Sequence, residues 1–328
     1  MKRSLSFAVL LSLIAASALF GFNKGGRTVF QFSKIGVGAR QAGMGEACIA
    51  VVRDVNAVYW NPANISGLAG GQAAFTYTRW FADLNYLTAA VGYRWNGVGV
   101  FALSFAGLDY QDIQEALVTS TSGAADTRTG KNFSGGDLQL GLSYSRDFTD
   151  KLSIGISAKY FREELFIYNV GLVAFDVGTY YETGFKGFRI AMSAQNFSTG
   201  SVSWLGKEKS DRIEGYEIPL IYRIGTSFDL INNENSFIDL GPDHHLQLAI
   251  DAINTNDYGE RYHLGGEYWY NHFIALRCGY RFNYEEGNLA AGFGLHHQFS
   301  GMKFQFDYAY VNYEFLESPH RFSLLMSF

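Results

Sequence analysis

The chain has 328 residues, 16% of them aromatic and only 17% charged, with 37 glycines, 4 prolines and a formal net charge of -5. It shows no basic cluster of the kind that meets nucleic acid, and a mean hydropathy of -0.04 is too low for a bundle of membrane helices. So few charges still require a home for many apolar side chains, and a membrane β-barrel provides one by alternation along its strands.

In chain order, Lys2 and Arg3 precede a mostly apolar run from Phe7 to Ile14, followed by Ala16-Ser17-Ala18. This is the pattern of a secretory signal peptide cut after Ala18. No cysteine closely follows the run, which argues against a lipoprotein anchor, and no second apolar segment of spanning length occurs downstream. The expected division is therefore a signal peptide over 1-18, an N-terminal plug over 19-70 and an outer-membrane barrel over 71-328. Residues 36-50, "GVGARQAGMGEACIA", are small and Gly-rich. Asp54 reads as the N-cap of a short helical turn over Asn56 to Trp60. Pro62 disfavours the helical region for Asn61 and closes that turn.

From residue 72 the chain breaks into strand-length segments of alternating character. They are expected at about 72-80, 84-95, 97-107, 134-147, 151-163, 169-182, 187-196, 218-229, 245-254, 260-270, 273-283, 287-298, 302-312 and 320-328. In "LSIGISAKY", Leu152, Ile154, Ile156, Ala158 and Tyr160 share one face and Ser153, Gly155, Ser157 and Lys159 the other. Tight connections alternate with longer ones, notably 108-133 and 197-217. That alternation, the even count of fourteen and the terminal aromatic Phe328 favour a closed antiparallel transmembrane barrel over a soluble sandwich. The long stretch 231-244 misfits, falling where a short turn is expected: either the turn is extended or the register slips. A fourteen-stranded barrel encloses a lumen that needs filling, hence the partly helical plug.

The same register sends Lys159, Asp176, Arg189, Arg223, Asp251, Glu267, Arg277, Arg281, Asp307 and His263 into the lumen. Glu267 and Arg277 invite pairing across adjacent strands. The first expectation for these charges is a salt-bridged scaffold that also holds the plug, with a ligand site as the alternative. Cys48 and Cys278 lack any metal-ligand spacing, and the pairs His244-His245 and His296-His297 put adjacent side chains on opposite faces, so no metal site and no cofactor is expected. "GVGARQAG" and "GAADTRTGKN" lack the spacing of dinucleotide and phosphate loops, and no nucleophile elbow occurs. A non-enzymatic protein is expected. Within 108-133, the run "YQDIQEALV" has the character to pair or fold locally.

The stretch "GARQAGMGEACIAVVRDVNAVYWNPANISGL" resembles the N-terminal hatch of the FadL superfamily of outer-membrane channels. It is similar above all to the PorV/PorQ branch, through Gly38-Ala39-Arg40, Gly43-Met44-Gly45, Ala47, Asp54, Ala57 and Tyr59-Trp60-Asn61-Pro62-Ala63. Later blocks such as "LGGEYWYNHFIALRCGYRFNY" extend the likeness from about Gly36 to Phe328. The resemblance implies a fourteen-stranded barrel with an N-terminal plug in the outer membrane of a Gram-negative-type bacterium. For the PorV/PorQ branch it implies a part in type IX protein export, with exported proteins or secretion-system subunits meeting the outer loops 108-133 and 197-217. For FadL itself it implies passive passage of fatty acids and other lipophilic small molecules, with a sideways exit at a strand kink, for which Gly107 is a candidate. Membrane lipid is a partner in either case. Export is the first expectation and the hydrophobic channel the alternative.

Overall fold

The computed structural model describes residues 28–117, 127–198, 200–203, 215–232 and 236–328; the expected signal peptide lies outside them. Seventeen strands follow a short N-terminal region: β1 Gly71–Arg79, β2 Asn85–Trp95, β3 Gly99–Asp109, β4 Ile113–Leu117, β5 Thr127–Phe133, β6 Gly135–Asp147, β7 Leu152–Leu165, β8 Tyr168–Glu182, β9 Arg189–Phe197, β10 Ile221–Asn232, β11 Ile238–Asp239, β12 His244–Thr255, β13 Arg261–Tyr270, β14 Ile274–Phe282, β15 Leu289–Phe299, β16 Met302–Val311 and β17 His320–Ser327. Fourteen of them form one antiparallel barrel, closed where β17 pairs with β1 from Gln72↔Ser327 to Arg79↔His320. Closure removes the exposed edges that an open sheet would present. These fourteen are the segments expected from the alternation, with ends shifted by a few residues.

The other three strands are local. β4 and β5 form a hairpin beyond β3, so the run expected to pair locally does so. β11 lies parallel to the end of β10 through Ile231↔Ile238 and Asn232↔Asp239. The described part of the stretch 231-244 is thus an extended turn, and the register of β10 against β12 holds on either side of a small irregularity at Asp229/Ile231.

The two faces of the wall are inverted relative to a soluble barrel. Leu103, Leu142, Ile156, Ile250 and Leu276 point outward and stand more than half exposed, while Gln139, Ser143, Ser157, Lys159 and Asp176 point inward and are buried. A continuous apolar exterior of this kind is stable in a bilayer and not in water. No helix among the described residues is long and apolar enough to cross a membrane, so strands do the crossing.

Residues 28–70 run down the inside. Thr28 bridges Glu217 at the long-loop end, and Leu68 delivers the chain to β1 at the short-turn end. The segment is built from a 3-10 turn at Gln31–Lys34, one α-turn at Ala39–Gly43, and 3-10 turns at Val55–Tyr59 and Pro62–Gly67. Asp54 caps the third of these, its carboxylate accepting from Asn56 N–H at 2.9 Å. Asn61 is extended, as a residue before proline should be. Pro62 does more than close one turn: it opens the next at the first helical position, where its missing N–H costs nothing.

Candidate functional site: a locked lumen beside an interrupted wall

Small inward residues let the plug backbone touch the wall. At Gly155 an added Cβ would lie 2.3 Å from the Pro62 carbonyl carbon, and at Gly279 it would lie 2.1 Å from that of Met44. Neither gap is one that real side chains occupy, so both glycines are required by close approach. Hydroxyls then supply partners to plug carbonyls: Ser145 donates to Ala63, Ser193 to Trp60 and Ser227 to Ala50, each near 3 Å.

Charge does the rest. Arg40 of the plug grips Glu267 with two contacts of 2.6 and 2.8 Å. Arg277 Nε donates to the same carboxylate at 2.6 Å and its Nη1 lies 2.8 Å from Asp307. Arg40 also reaches Asp54 at 3.4 Å. Nearby, Glu46 lies 3.3 Å from Arg281 and 4.0 Å from Arg321. Asp251 accepts the backbone N–H groups of Cys48 and Ile49 at 2.7 and 2.9 Å. Lys159 and Asp176 pair within the wall at 2.5 Å, and Arg189 pairs with Asp229 at 3.0 Å near the short turns.

All nine charged positions expected in the lumen face it. Glu267, Arg277, Asp307, Arg281 and Asp251 converge on the plug, Arg223 stacks over Trp60 at 5.2 Å, and Lys159, Asp176 and Arg189 brace the wall. His263, also inward, meets Tyr284 at 2.8 Å. Tyr59 places its hydroxyl 2.7 Å from the carbonyls of Ala89 and Phe105. Trp60 donates to Val37 O at 3.0 Å, and Asn61 donates to Thr179 O while capping Ala63 N–H. Glu46 and Arg321 complete the lock without having been singled out from sequence. Arg321 was legible in principle, since it alternates with Phe322 in the last strand.

Above the lock, residues 28–37 lie in an apolar nest. Phe30 and Phe32 pack on Phe161 at 5.7 and 6.0 Å between ring centres, among Tyr86, Leu108, Val170 and Ile218. Beneath them is a small polar chamber of about 20 Å³, the size of a single water site, lined by Tyr59, Trp60, Tyr86, Gln139, Lys159, Gln195, Asn196 and Arg223. Toward the short turns the plug ends over a polar vestibule of about 380 Å³ between Arg53, Arg189, His245, His296 and Lys303.

The wall beside the chamber is irregular. β8 and β9 keep register from Glu182↔Arg189 to Val177↔Ala194, then resume at Phe175↔Phe197, so Gln195 and Asn196 oppose Asp176 alone. Asn196 adopts φ 66°, donates its N–H to Asp176 at 2.9 Å and its side-chain amide to Pro219 O. This is a β-bulge, a local kink that ends regular pairing. Next to it on the outer face, starting at the adjoining pair Val177 and Ala194, runs an apolar groove of about 560 Å³, flanked by Ile156, Met192, Tyr222 and Ile224 over Ala252. Arg223 lines both the groove and the chamber. Gly107, the kink candidate from sequence, pairs on both sides within an unbroken β3; the interruption falls at β9 instead.

No family model matches the chain, and no curated protein matches it. Among solved structures, the chain is similar to the toluene transporter TodX of Pseudomonas putida, at 13% identity and a TM-score of 0.60, covering 89% of this chain and 97% of that one. It is also similar to a FadL homologue of Pseudomonas aeruginosa, at 8% identity and a TM-score of 0.50, covering 89% and 98%. A TodX mutant described as a monoaromatic hydrocarbon channel gives a TM-score of 0.55 at 13% identity, covering 89% and 98%. The fold is that of FadL-type outer-membrane barrels.

Proposed function

We propose that the protein is a passive outer-membrane channel for small hydrophobic molecules, with residues 19–70 as its hatch and 71–328 as its barrel. The long loops face outward and the short turns face the periplasm, as in outer-membrane barrels generally. The observation that carries the reading is the interrupted β8–β9 ladder, which borders a small polar pocket of the lumen and adjoins an apolar groove on the outer face that begins at Val177 and Ala194. Buried ion pairs obstruct the axis, so the low-cost exit for an apolar solute is sideways, through the bulge at Asn196. Entry requires residues 28–35 to yield the nest that Phe30 and Phe32 occupy. That TodX, a toluene transporter, has a similar fold supports the same solute class.

This reverses the order of the two expectations drawn from sequence. The export reading rests on the PorV/PorQ resemblance of residues 38–63 and has no geometric counterpart of comparable weight. Export of the protein itself, by a signal peptide cut after Ala18, belongs to either reading.

The test is toluene uptake by cells that lack their own hydrophobic channels. Cells carrying the protein are expected to take up toluene faster than cells without it, and deletion of Asn196, which restores regular pairing, is expected to remove the gain. Equal uptake with and without the protein would refute the channel.

A further inference from the structure

The most exposed large apolar side chain among the described residues is not in the membrane belt. Phe315 is 86% exposed and stands with Leu316, 45% exposed, in the loop between β16 and β17. This loop is fixed in place: Glu286, from the loop between β14 and β15, accepts the backbone N–H groups of Glu314 and Phe315 at 2.7 and 3.1 Å. Ser318 caps the base, receiving the N–H of Tyr313 and the hydroxyl of Tyr310, both at 3.1 Å. Beside it, Trp80 and Phe81 pack against the Tyr313 ring at 6.2 and 6.5 Å. A braced loop therefore holds an apolar side chain in solvent, which the hydrophobic effect disfavours unless something covers it.

The surrounding charge says what could cover it. The two loops, "NYEEGN" over 283–288 and "NYEFLESP" over 312–319, contain Glu285, Glu286, Glu314 and Glu317 and no lysine or arginine. Asp83 stands exposed in the adjacent loop, paired only loosely with Arg79 at 3.7 Å. Of the nearby bases, Arg261 lies over the rings of Tyr258 and Tyr284, while Arg281, which donates to Gly287 O at 2.6 Å, and Arg321, over the Trp80 ring at 5.4 Å, are buried and face Glu46. Sinking Phe315 into the bilayer would draw Glu314 and Glu317 toward the hydrocarbon, at a cost of kcal/mol for each carboxylate. The position of Tyr310, whose hydroxyl meets Asn312 and Ser318 at the loop base, also sets Phe315 beyond the interfacial aromatics of the wall.

We infer that the braced loops 283–288 and 312–319 are a docking site for a basic amphipathic segment of another protein, Phe315 and Leu316 entering its apolar face and Glu285, Glu314 and Glu317 meeting its lysines or arginines. Exposed aromatic anchors ringed by complementary charge are the arrangement in which a few residues dominate binding and charge directs the encounter. The inference is independent of the channel reading, since neither loop lines the chamber, the bulge or the groove.

The test uses the full barrel in lipid nanodiscs and a short synthetic peptide of lysine and leucine as probe. Saturable binding is expected, weakened at least about tenfold, or about 1.4 kcal/mol, by Phe315→Ser, which leaves every charge in place, and weakened similarly by Glu314→Gln with Glu317→Gln. A peptide of lysine and serine should bind no better to the native barrel than to Phe315→Ser. Equal affinity for native protein and Phe315→Ser would overturn the inference, as would no saturable binding. A second variant, Phe315→Trp, separates docking from lipid anchoring. Its emission should be quenched by acrylamide; quenching by brominated acyl chains instead would assign the side chain to the membrane and overturn the inference.

Discussion

Replacing Glu267 by Gln should loosen the plug more than any other single loss of charge. Glu267 is 1% exposed and serves two guanidiniums, Arg40 of the plug and Arg277 of β14. Without it, among the ion pairs of the described residues, Arg40 retains Asp54 at 3.4 Å and Arg277 retains Asp307 at 2.8 Å. Removing one partner of a buried pair costs roughly 3–5 kcal/mol; with two carboxylates still in reach, the lower end, about 3 kcal/mol, is expected. Arg40→Met leaves Glu267 held by Arg277 and should cost about 2 kcal/mol. The double variant leaves Arg277 and Asp307 as a self-contained pair, so it should cost little more than Glu267→Gln alone. The predicted coupling is therefore about 2 kcal/mol, read from urea unfolding followed by tryptophan fluorescence, to which Trp60 in the plug contributes. Additive costs, within about 0.5 kcal/mol, would refute the shared network.

Two further outcomes follow from the same contacts. Gly279→Val must displace Met44 and Gly45 from the wall, so trypsin should cut at Arg40 or Arg53 while the heat-modifiable barrel band persists; an uncut plug would contradict the close packing. At the outer mouth, Lys34 lies 2.6 Å from Asp257. Burial would raise the Asp257 carboxyl, but the hydrogen bond and charge of Lys34 hold it below its ordinary value. A depressed carboxyl stabilises above its unfolded pKa of about 3.9, and that contribution is lost as pH falls through the lower folded value. Residues 28–35 should thus be released by strong acid and, at neutral pH, by Asp257→Asn, as measured by acrylamide quenching of a Phe30→Trp reporter. A reporter equally shielded in Asp257→Asn would contradict the role of the pair.

The wall was legible because one period governs it. Once "KFQFDYAY" is read as alternating, Asp307 must face inward, and the same rule places Lys159, Arg277 and Glu267. Glu267 and Arg277 are opposite each other in neighbouring strands, so their pairing was readable as well. The lock between Arg40 and Glu267 was not, because 227 residues separate them and nothing local fixes where an irregular segment meets a barrel wall. The bulge was missed for a related reason. Asn196 reads as an ordinary residue near a strand end, and its left-handed conformation is set by Asp176 and Pro219, which belong to other segments. Gly107 attracted attention as a glycine, yet a glycine inside a strand whose neighbours pair regularly does not bend it.

The central claim is that solute leaves sideways while the lower plug, residues 38–70, stays. Ser66 of the plug donates to Ser153 of β7 at 2.8 Å, so cysteines at these two positions can tether plug to wall by a disulfide. The measurement is toluene uptake by that variant, oxidised and then reduced. The account predicts the same uptake, within about twofold (about 0.4 kcal/mol), in both states. Uptake that stops on oxidation and returns on reduction would show that solute passes where the plug stands, and would contradict the lateral route.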